Sequence, residues 1–494
     1  MTAHNPSPSG AFALDTCNAP PSALPLVVDL NGALLKIDSR HETLVALVVR
    51  HPRALLRAII VWLTRGRAAM KVMIDSLEVL DIETLPLREE LLAWLRGQSV
   101  AGRALHLFST ADDAIVVRLA SRLQLFDSCI YSDARQTLKG RAKAAYLSSR
   151  FPDGFSYAGD GATESAVWEA ASAAILTGAR PAARRRIELL HKPIEAEFAT
   201  PKIGAAVLTR QLRLHQWSKN LLVFLPLLLA HRFTDLRGWL HVLFAFCGIG
   251  LTASASYVVN DLSDLSHDRR HFTKRNRPLA AGDLPSLAAF AGVPLMLSAG
   301  FLLTFLASPK AAIVLGAYLA LTLAYSLRLK RVPLLDTAVI GFLFSLRILL
   351  GAAALGTPPS PWLLAFSMLL FFSLAMAKRQ SELVKALRSS GTKGIAGRGY
   401  QPDDVVLTLA YGIGSGVASL VILMLYITNG TAAKLYGSPN WLWAVPLLVY
   451  LWQLRVWLLA HRGVLDDDPI VFAFKDRASL LLGAGCLLAL YLAL

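Results

Sequence analysis

Three aspartates close a long apolar run in the stretch Asn260-Asp-Leu-Ser-Asp-Leu-Ser-His-Asp268. At about 100° per residue, Asp261, Asp264 and Asp268 fall within about 60° of one another on one helical face. Bare carboxylates at a membrane helix are expensive, so three together argue for a task. Oxygen ligands in that number, with Asn260 beside them, suit Mg²⁺, which keeps waters and shares its shell with substrate phosphates. The following turns read Arg269-Arg270-His-Phe-Thr-Lys274-Arg-Asn-Arg277-Pro. Acids followed by a run of bases indicate a metal–diphosphate site rather than a helix end whose charges are merely solvated.

The elements that must position these residues follow from composition. The chain has 494 residues, 54% of them hydrophobic, and a mean hydropathy of +0.48, too apolar for an ordinary soluble enzyme. Residues 1–22 read as a polar, Pro- and Ser-rich disordered lead-in without the pattern of a signal peptide. Residues 23–181 mix charged and apolar residues as a globular domain does, 182–204 read as a basic linker, and 205–494 read as a membrane domain. Nine spans are expected, near 217–232, 238–260, 286–306, 309–327, 335–356, 360–378, 404–428, 440–460 and 478–494, the first being weak and partly interfacial. Basic residues crowd alternate loops, around Arg269–Arg277, Arg328–Arg331, Lys378–Arg398 and Arg462–Arg477. The opposite loops offer only Arg232, Arg237, Lys310 and Lys434. The asymmetry places the crowded loops and the N-terminal domain in the cytosol, in an inner (cytoplasmic) membrane, with the C-terminus outside. The formal charge of +16 is then a membrane and phosphate signature, and no nucleic-acid module is present. Four scattered cysteines imply reduced thiols without disulfides.

Every polar cluster of the membrane half falls on the same side. Arg213-Leu-His-Gln216-Trp217-Ser-Lys219-Asn220 precedes the first full span, and its bland reading is an interfacial Trp/Lys belt. Tyr325-Ser-Leu-Arg-Leu-Lys330-Arg-Val-Pro-Leu-Leu-Asp336 comes later, followed by Arg347 within an apolar segment. Asp336 and Arg347 lie about three helical turns apart, so both can face one cavity or form a structural ion pair. Lys378-Arg379-Gln-Ser-Glu382, Arg398-Gly-Tyr400 and Asp466-Asp-Asp-Pro-Ile-Val-Phe-Ala-Phe-Lys475-Asp476-Arg477 complete the set. No Ser/His/Asp triad or thiol nucleophile is arranged there. Acids for a metal and cations for phosphate oxygens fit transfer of a carbocation-like group from a diphosphate donor.

The span pattern, NDLSDLSHD and the following Lys-Arg-x-Arg-Pro resemble the UbiA superfamily of intramembrane transferases. HQWSKNLLVFLPL, DRRHFTKRNRPLAAG, YSLRLKRVPLLD, AKRQSEL and DDPIVFAFKDR resemble its decaprenyl-phosphate phosphoribosyltransferase branch, over roughly residues 205–494. The resemblance implies Mg²⁺-dependent transfer of 5-phosphoribose from phosphoribosyl pyrophosphate to a polyprenyl phosphate, giving a precursor for arabinofuranose-containing envelope glycans. It implies metal and pyrophosphate at Asp261, Asp264 and Asp268. Lys219, Asn220, Lys274 and Arg277 are expected at donor phosphates, and Tyr325 and Tyr400 at the ribose or a phosphate. Lys330, Arg347, Lys378 and Arg379 are expected at the acceptor phosphate, with Asp336 beside them. Aromatic prenyltransferases of the superfamily carry a second motif, DxxxD; here Asp336 is followed four residues later by Ile340. That departure counts against the alternative of quinone-type prenyl transfer. A transporter or lipid-binding module is a further alternative, without a matching outer site in the sequence. The bilayer is the expected partner, and whether copies of the chain associate is left open.

In the N-terminal domain, Leu24-Pro-Leu-Val-Val28 ends at Asp29 as a buried parallel strand would, with similar runs at 104–109, 154–158 and 173–177. The expected fold is thus multidomain, an α/β sheet with functional residues at strand ends plus an all-α membrane domain. Asp29-Leu-Asn31-Gly-Ala33, Ser109-Thr110, Lys139 and Gly159-Asp160-Gly-Ala-Thr-Glu164 resemble the four motifs of haloacid-dehalogenase-like hydrolases. Asn31 stands where that superfamily places its general acid, Ala33 where it places Thr, and Glu164 where it places Asp. Asparagine cannot exchange a proton near neutral pH, so phosphatase turnover is expected to be weak or absent. A cap-like insert at about 40–100 includes a basic, apolar segment, His51–Arg67, that suits either anionic lipid or packing on protein.

Overall fold

The computed structural model describes residues 24–494 apart from 78, 111–112, 133–137, 162–163, 179–180, 200–202, 391–398, 430–434 and 466–468. The lead-in, Lys393, Arg398, Lys434 and Asp466–Asp468 therefore lie outside the described residues. The chain divides into two units: residues 1–211 with 261–291, and residues 212–260 with 292–494.

The first unit is built on a six-stranded, all-parallel sheet in the order β3-β2-β1-β4-β5-β6. Its strands are β1 (Leu26–Asp29), β2 (Leu105–Ser109), β3 (Ser128–Tyr131), β4 (Ser156–Gly159), β5 (Ala173–Thr177) and β6 (Ile194–Phe198). β1 is central, and its register sets Val28 beside Leu107 of β2 and Ala158 of β4. A strand covered on both faces has to be apolar throughout rather than alternating, which is why Leu-Val-Val precedes Asp29. Side chains still alternate: Leu26 and Val28 join one core with Leu91, Leu95, Leu107 and Leu119, and Val27 joins the other with Phe108, Leu147, Tyr157 and Trp168.

Helices α1 (Ser39–Arg50), α2 (Pro52–Ser76) and α3 (Glu89–Val100) lie between β1 and β2. The expected cap boundary at 100 is too late, because Leu91, Leu92 and Leu95 of α3 belong to the core under the sheet. Helices α4 (Asp113–Leu123), α5 (Gly140–Arg150) and α6 (Ser165–Ala170) join the later strands. The expected linker at 182–204 is also corrected: α7 (Pro181–Leu189) buries Ile187, and β6 completes the sheet edge against β5. The arginines of Ala182-Ala-Arg-Arg-Arg are the solvent face of a packed helix, a pattern composition alone does not separate from a tether. α8 (Ala205–Leu212) follows.

In the second unit a 3₁₀ segment, Leu214–Phe224, runs into the short helix α9 (Leu225–Leu229). The expected span at 217–232 is thus not a continuous helix. Pro226 has no N–H to donate, and left-handed backbone at Arg213 (φ 52°) and His231 (φ 51°) brackets the segment. Trp217 in this segment donates from Nε1 to Ser254 Oγ at 3.1 Å and lies so close to Gly250 that a Cβ there would meet the indole at 2.8 Å. It is packing for the next helix, α10 (Leu236–Ser263), and not an interfacial belt. The short helices α11 (Leu265–Arg270) and α12 (Pro278–Ala281) belong to the first unit. Next come α13 (Ser286–Ala307), α14 (Pro309–Leu327), α15 (Leu335–Leu355), α16 (Pro361–Ser390), α17 (Asp404–Thr428) and α18 (Ala444–His461). α10 and these six are long and apolar enough to cross a membrane, so seven such helices, not nine, occur among the described residues. After α19 (Pro469–Lys475), α20 (Arg477–Ala493) is apolar, but its 17 residues span only about 26 Å, short of a bilayer's hydrocarbon core.

Within the first unit, Arg269 of α11 makes a two-pronged pair with Glu42 of α1, at 2.6 and 2.8 Å, with both side chains buried. Arg269→Ala leaves Glu42 buried and unpaired, a loss of about 3–5 kcal/mol. The expected outcome is a marked fall in the denaturation midpoint of the first unit. The double variant Arg269→Ala/Glu42→Leu should recover much of it.

Candidate active site

In the first unit the aspartates of the acidic motif end α10 and enter α11, with Asp264 as the N-cap of the second helix. Asp261 and Asp268 are buried, while Asp264 and Asn260 are half-buried. One guanidinium nitrogen, Nη1 of Arg277, lies 3.1 Å from Asp261 Oδ1 and 2.5 Å from Asp268 Oδ2. Gln211 donates from Nε2 to Asp261 Oδ2 at 3.2 Å, and Lys274 Nζ stands 3.8 Å from Asp268. The acids and bases that are close in sequence are thus close in space. Arg277 comes back to the aspartates because Pro278 starts α12 there and Gly282 ends it in a left-handed turn (φ 77°). Gly282 also lies against Lys36 and Pro86, where a Cβ would meet neighbours at 3.0 Å.

In the second unit the expected residues separate into two buried networks. Asp336, fully buried near the start of α15, accepts from Arg379 Nε at 2.8 Å, from Tyr400 Oη at 2.6 Å and from the Thr337 N–H at 2.7 Å. Arg379 also reaches Glu382 at 2.5 Å. Tyr400 Oη accepts the N–H of Leu334, whose backbone is left-handed (φ 65°). Burial, with the Asp336 carboxylate next, raises the Tyr400 phenol well above its ordinary range. Arg347 is elsewhere: Nε donates to Asn220 Oδ1 at 3.0 Å, Nη1 to the Leu343 carbonyl at 2.7 Å and Nη2 to Tyr318 Oη at 3.0 Å. The expectation that Asp336 and Arg347 share one cavity is therefore corrected. Helical phase let them share a face, but α16 and the segment after it bring Arg379 and Tyr400 to Asp336, while the 3₁₀ segment and α14 surround Arg347. Arg347 and Arg379 are thus bonded to groups of the protein itself, and Asn220 accepts from Arg347. Lys219, Tyr325, Lys330 and Lys378 are half-buried. Asp476 of the last motif caps α20, accepting the Ser479 N–H at 2.9 Å, and pairs with Arg455.

The sheet of the first unit carries its own cluster at the C-terminal ends of β1, β2 and β4. Asp29 accepts the Gly32 N–H at 2.9 Å, and Asp160 lies just beyond β4 near Gly32. Ser109 is buried at the end of β2. Lys139, expected to steady a phosphate, is exposed at the start of α5. Lys143, one turn later on the same helix, is the buried amine, with Nζ 2.8 Å from Asp29, 2.9 Å from Glu164 and 2.5 Å from Tyr157 Oη. The Leu-Lys-Gly wording pointed one turn too early; the i, i+4 repeat of lysine was the available signal. Tyr157 also donates to Glu164. Asn31 Oδ1 accepts the Ser39 N–H at 2.9 Å. Burial, then the Asp29 charge, pushes Glu164 up to about 7. Burial alone would lower Lys143, but Asp29 and Glu164 outweigh it and raise it.

Against this geometry, the comparisons with known proteins are decisive at family level. The UbiA prenyltransferase family model matches residues 221–475, more than half of the chain. The chain belongs to the UbiA prenyltransferase family. It is 43% identical over 464 residues to the uncharacterised protein y4nM of Sinorhizobium fredii, covering 93% of this chain and 89% of that protein. Neither unit alone is that long, so the likeness runs through both. It is 34% identical over 285 residues to nodulation protein NoeC of Azorhizobium caulinodans, covering 57% of this chain and 90% of that one. It is 32% identical over 291 residues to decaprenyl-phosphate phosphoribosyltransferase of Mycobacterium tuberculosis, covering 56% and 90%. As a UbiA protein with seven long apolar helices among its described residues, it is an integral membrane protein of transferase type.

Two tests address these networks. Arg379→Ala strands Asp336 in the interior and should cost about 3–5 kcal/mol, with Asp336→Ala/Arg379→Ala costing less than the two single losses together; thermal unfolding in detergent measures both. Glu164 holds a proton in the folded state that the unfolded chain gives up near pH 4.5. The first unit should therefore lose stability as pH rises from 4.5 to 7 and level off above, and Glu164→Gln should flatten that slope.

Proposed function

We propose that this chain transfers 5-phosphoribose from phosphoribosyl pyrophosphate to a polyprenyl phosphate, releasing pyrophosphate. The reading is supported by UbiA membership and by relatives named decaprenyl-phosphate phosphoribosyltransferase, 32–36% identical over their matched stretches. The observation that carries it is the state of Asp336. Asp336 is engaged by Arg379, Tyr400 and the Thr337 N–H, and residue 340 is Ile, so α15 lacks the second carboxylate of a DxxxD pair for a metal-bound prenyl diphosphate. One acidic motif remains, and one suffices for a small, water-soluble pyrophosphate donor.

Asp261 and Asp268 already converge on a single cationic atom from two buried carboxylates, a donor set that fits Mg²⁺ with the rest of its shell from water and phosphate. Asp261 and Asp268, with Asp264 one turn away, would hold the ion. When bound, Mg²⁺ neutralises charge on the departing pyrophosphate. Arg277 and Lys274 turn from carboxylates to phosphate oxygens on donor binding and orient the pyrophosphate for departure. An acceptor phosphate oxygen forms the new bond at the anomeric carbon as the bond to pyrophosphate breaks, the electron pair leaving with pyrophosphate. The product keeps its 5-phosphate. Lys219, Lys330 and Lys378 are the proposed cations for acceptor and donor phosphates. Arg347, Arg379, Asn220, Asp336 and Tyr400 position helices. Basic-loop asymmetry supports a cytosolic site.

The sheet of the first unit is read as a haloacid-dehalogenase-like domain without turnover. Asp29, Ser109, Asp160 and a buried lysine at the strand ends support the likeness. Asn31, engaged with the α1 backbone, offers no proton to a leaving group.

The deciding experiment follows label from phosphoribosyl pyrophosphate into polyprenyl phosphate with purified protein and Mg²⁺. Asp261→Asn should reduce transfer at least about 100-fold by losing a metal ligand. The lipid product should retain its 5-phosphate. Transfer from a prenyl diphosphate to an aromatic acceptor instead would assign the protein to quinone-type chemistry and defeat the proposal.

A further inference from the structure

The first fourteen residues of α2, Pro52 to Arg65, invert the rule by which a helix of a globular domain hides its apolar side. Leu56, Ile59, Ile60 and Leu63 recur at the 3–4-residue spacing and lie within about 100° of one another on the helix. They are 63%, 41%, 59% and 73% exposed. Trp62, beside them, is 52% exposed, whereas Ala58, almost opposite, is 1% exposed. The helix therefore packs through its small residue and turns its largest apolar side chains outward. Exposed Arg53 and Arg57 run along one border of the stripe, and exposed Arg65 lies at its end. Four adjoining large apolar side chains with a tryptophan at their edge form a coherent patch, not scattered surface leucines.

We infer that this segment lies in the headgroup region of the bilayer that holds the chain, with Leu56, Ile59, Ile60 and Leu63 in the acyl boundary and Arg53 and Arg57 on anionic lipid phosphates. The chemistry favours a membrane over a protein partner on two counts. Guanidinium groups along the border of a leucine/isoleucine stripe, with tryptophan beside it, match the two layers of an anionic lipid surface. And the segment is too short to cross: fourteen residues reach about 21 Å, and Gly66 then breaks the helix with φ 82° and ψ 179°. A Cβ at Gly66 would meet nothing within 4 Å, so the glycine serves the backbone turn and not a close contact.

The test uses the full chain in nanodiscs, in a background with its four native cysteines replaced, spin-labelled singly at Leu56→Cys, Ile60→Cys, Leu63→Cys and Thr64→Cys. In discs containing phosphatidylglycerol, labels at 56, 60 and 63 should collide with oxygen at least about 3-fold more readily than with a water-soluble nickel chelate, and the label at 64 less so. That contrast should fall at least 2-fold in pure phosphatidylcholine, and to the same extent in phosphatidylglycerol when Arg53→Glu and Arg57→Glu are introduced. Nickel-accessible labels at 56, 60 and 63 in anionic discs would overturn the inference, as would labels shielded from both reagents, which would mean a protein contact. Oxygen contrast that ignores lipid charge would overturn the role of the arginines. Size-exclusion profiles identical to the parent protein confirm that the labelled chains are folded.

Discussion

A charge taken out of water must meet an opposite charge or a set of hydrogen-bond donors, and in this protein that requirement organises both units. Asp336 sits at the start of an apolar helix with no exposure and is met by a guanidinium, a phenol and a backbone N–H. Arg347, three turns further along the same helix, has Nε and both Nη nitrogens bonded within the protein. Neither network gains much over an apolar replacement of equal volume, since desolvation offsets most of the attraction. What each does is fix register: α15 cannot slide against α14, α16 or the 3₁₀ segment without stranding a charge.

The acidic motif obeys the same constraint with a different outcome. Asp261 and Asp268 share Arg277, a residue with more than a quarter of its side chain still in solvent. A partly exposed arginine can trade one anion for another at little cost, whereas the fully enclosed Arg379 cannot. The difference in enclosure separates groups suited to handling a substrate from groups that hold helices. The sheet cluster falls on the enclosed side: Lys143 bridges Asp29 and one oxygen of Glu164, which Tyr157 also bonds, while the second Glu164 oxygen is buried without a hydrogen-bond partner.

Several expectations failed for one shared reason. The linker at 182–204 was compositionally basic, yet α7 and β6 use its few apolar residues to close a sheet edge. Lys139 matched a motif while Lys143 makes the contact, because a short phrase does not fix which turn of a helix points inward. The expected span at 217–232 was apolar enough for a membrane but carried Pro226, and backbone hydrogen bonding overrode hydropathy.

Local physics was legible without coordinates. Hydropathy suggested nine spans, and seven of them coincide with helices long and apolar enough to cross a membrane among the described residues, since lipid imposes length and apolarity on each helix separately. Parallel strands such as Leu26–Asp29 were legible as continuous apolar runs, and the proximity of Asp261, Asp268 and Arg277 was legible because they are near neighbours along the chain. Pairing between distant residues was not legible. Asp336 with Arg379 and Tyr400, Arg347 with Asn220 and Tyr318, Asp29 with Lys143, and Glu42 with Arg269 are separated by 29 to 227 residues. Which charge meets which partner depends on how helices and strands pack, and packing energy is summed over contacts that no single segment contains.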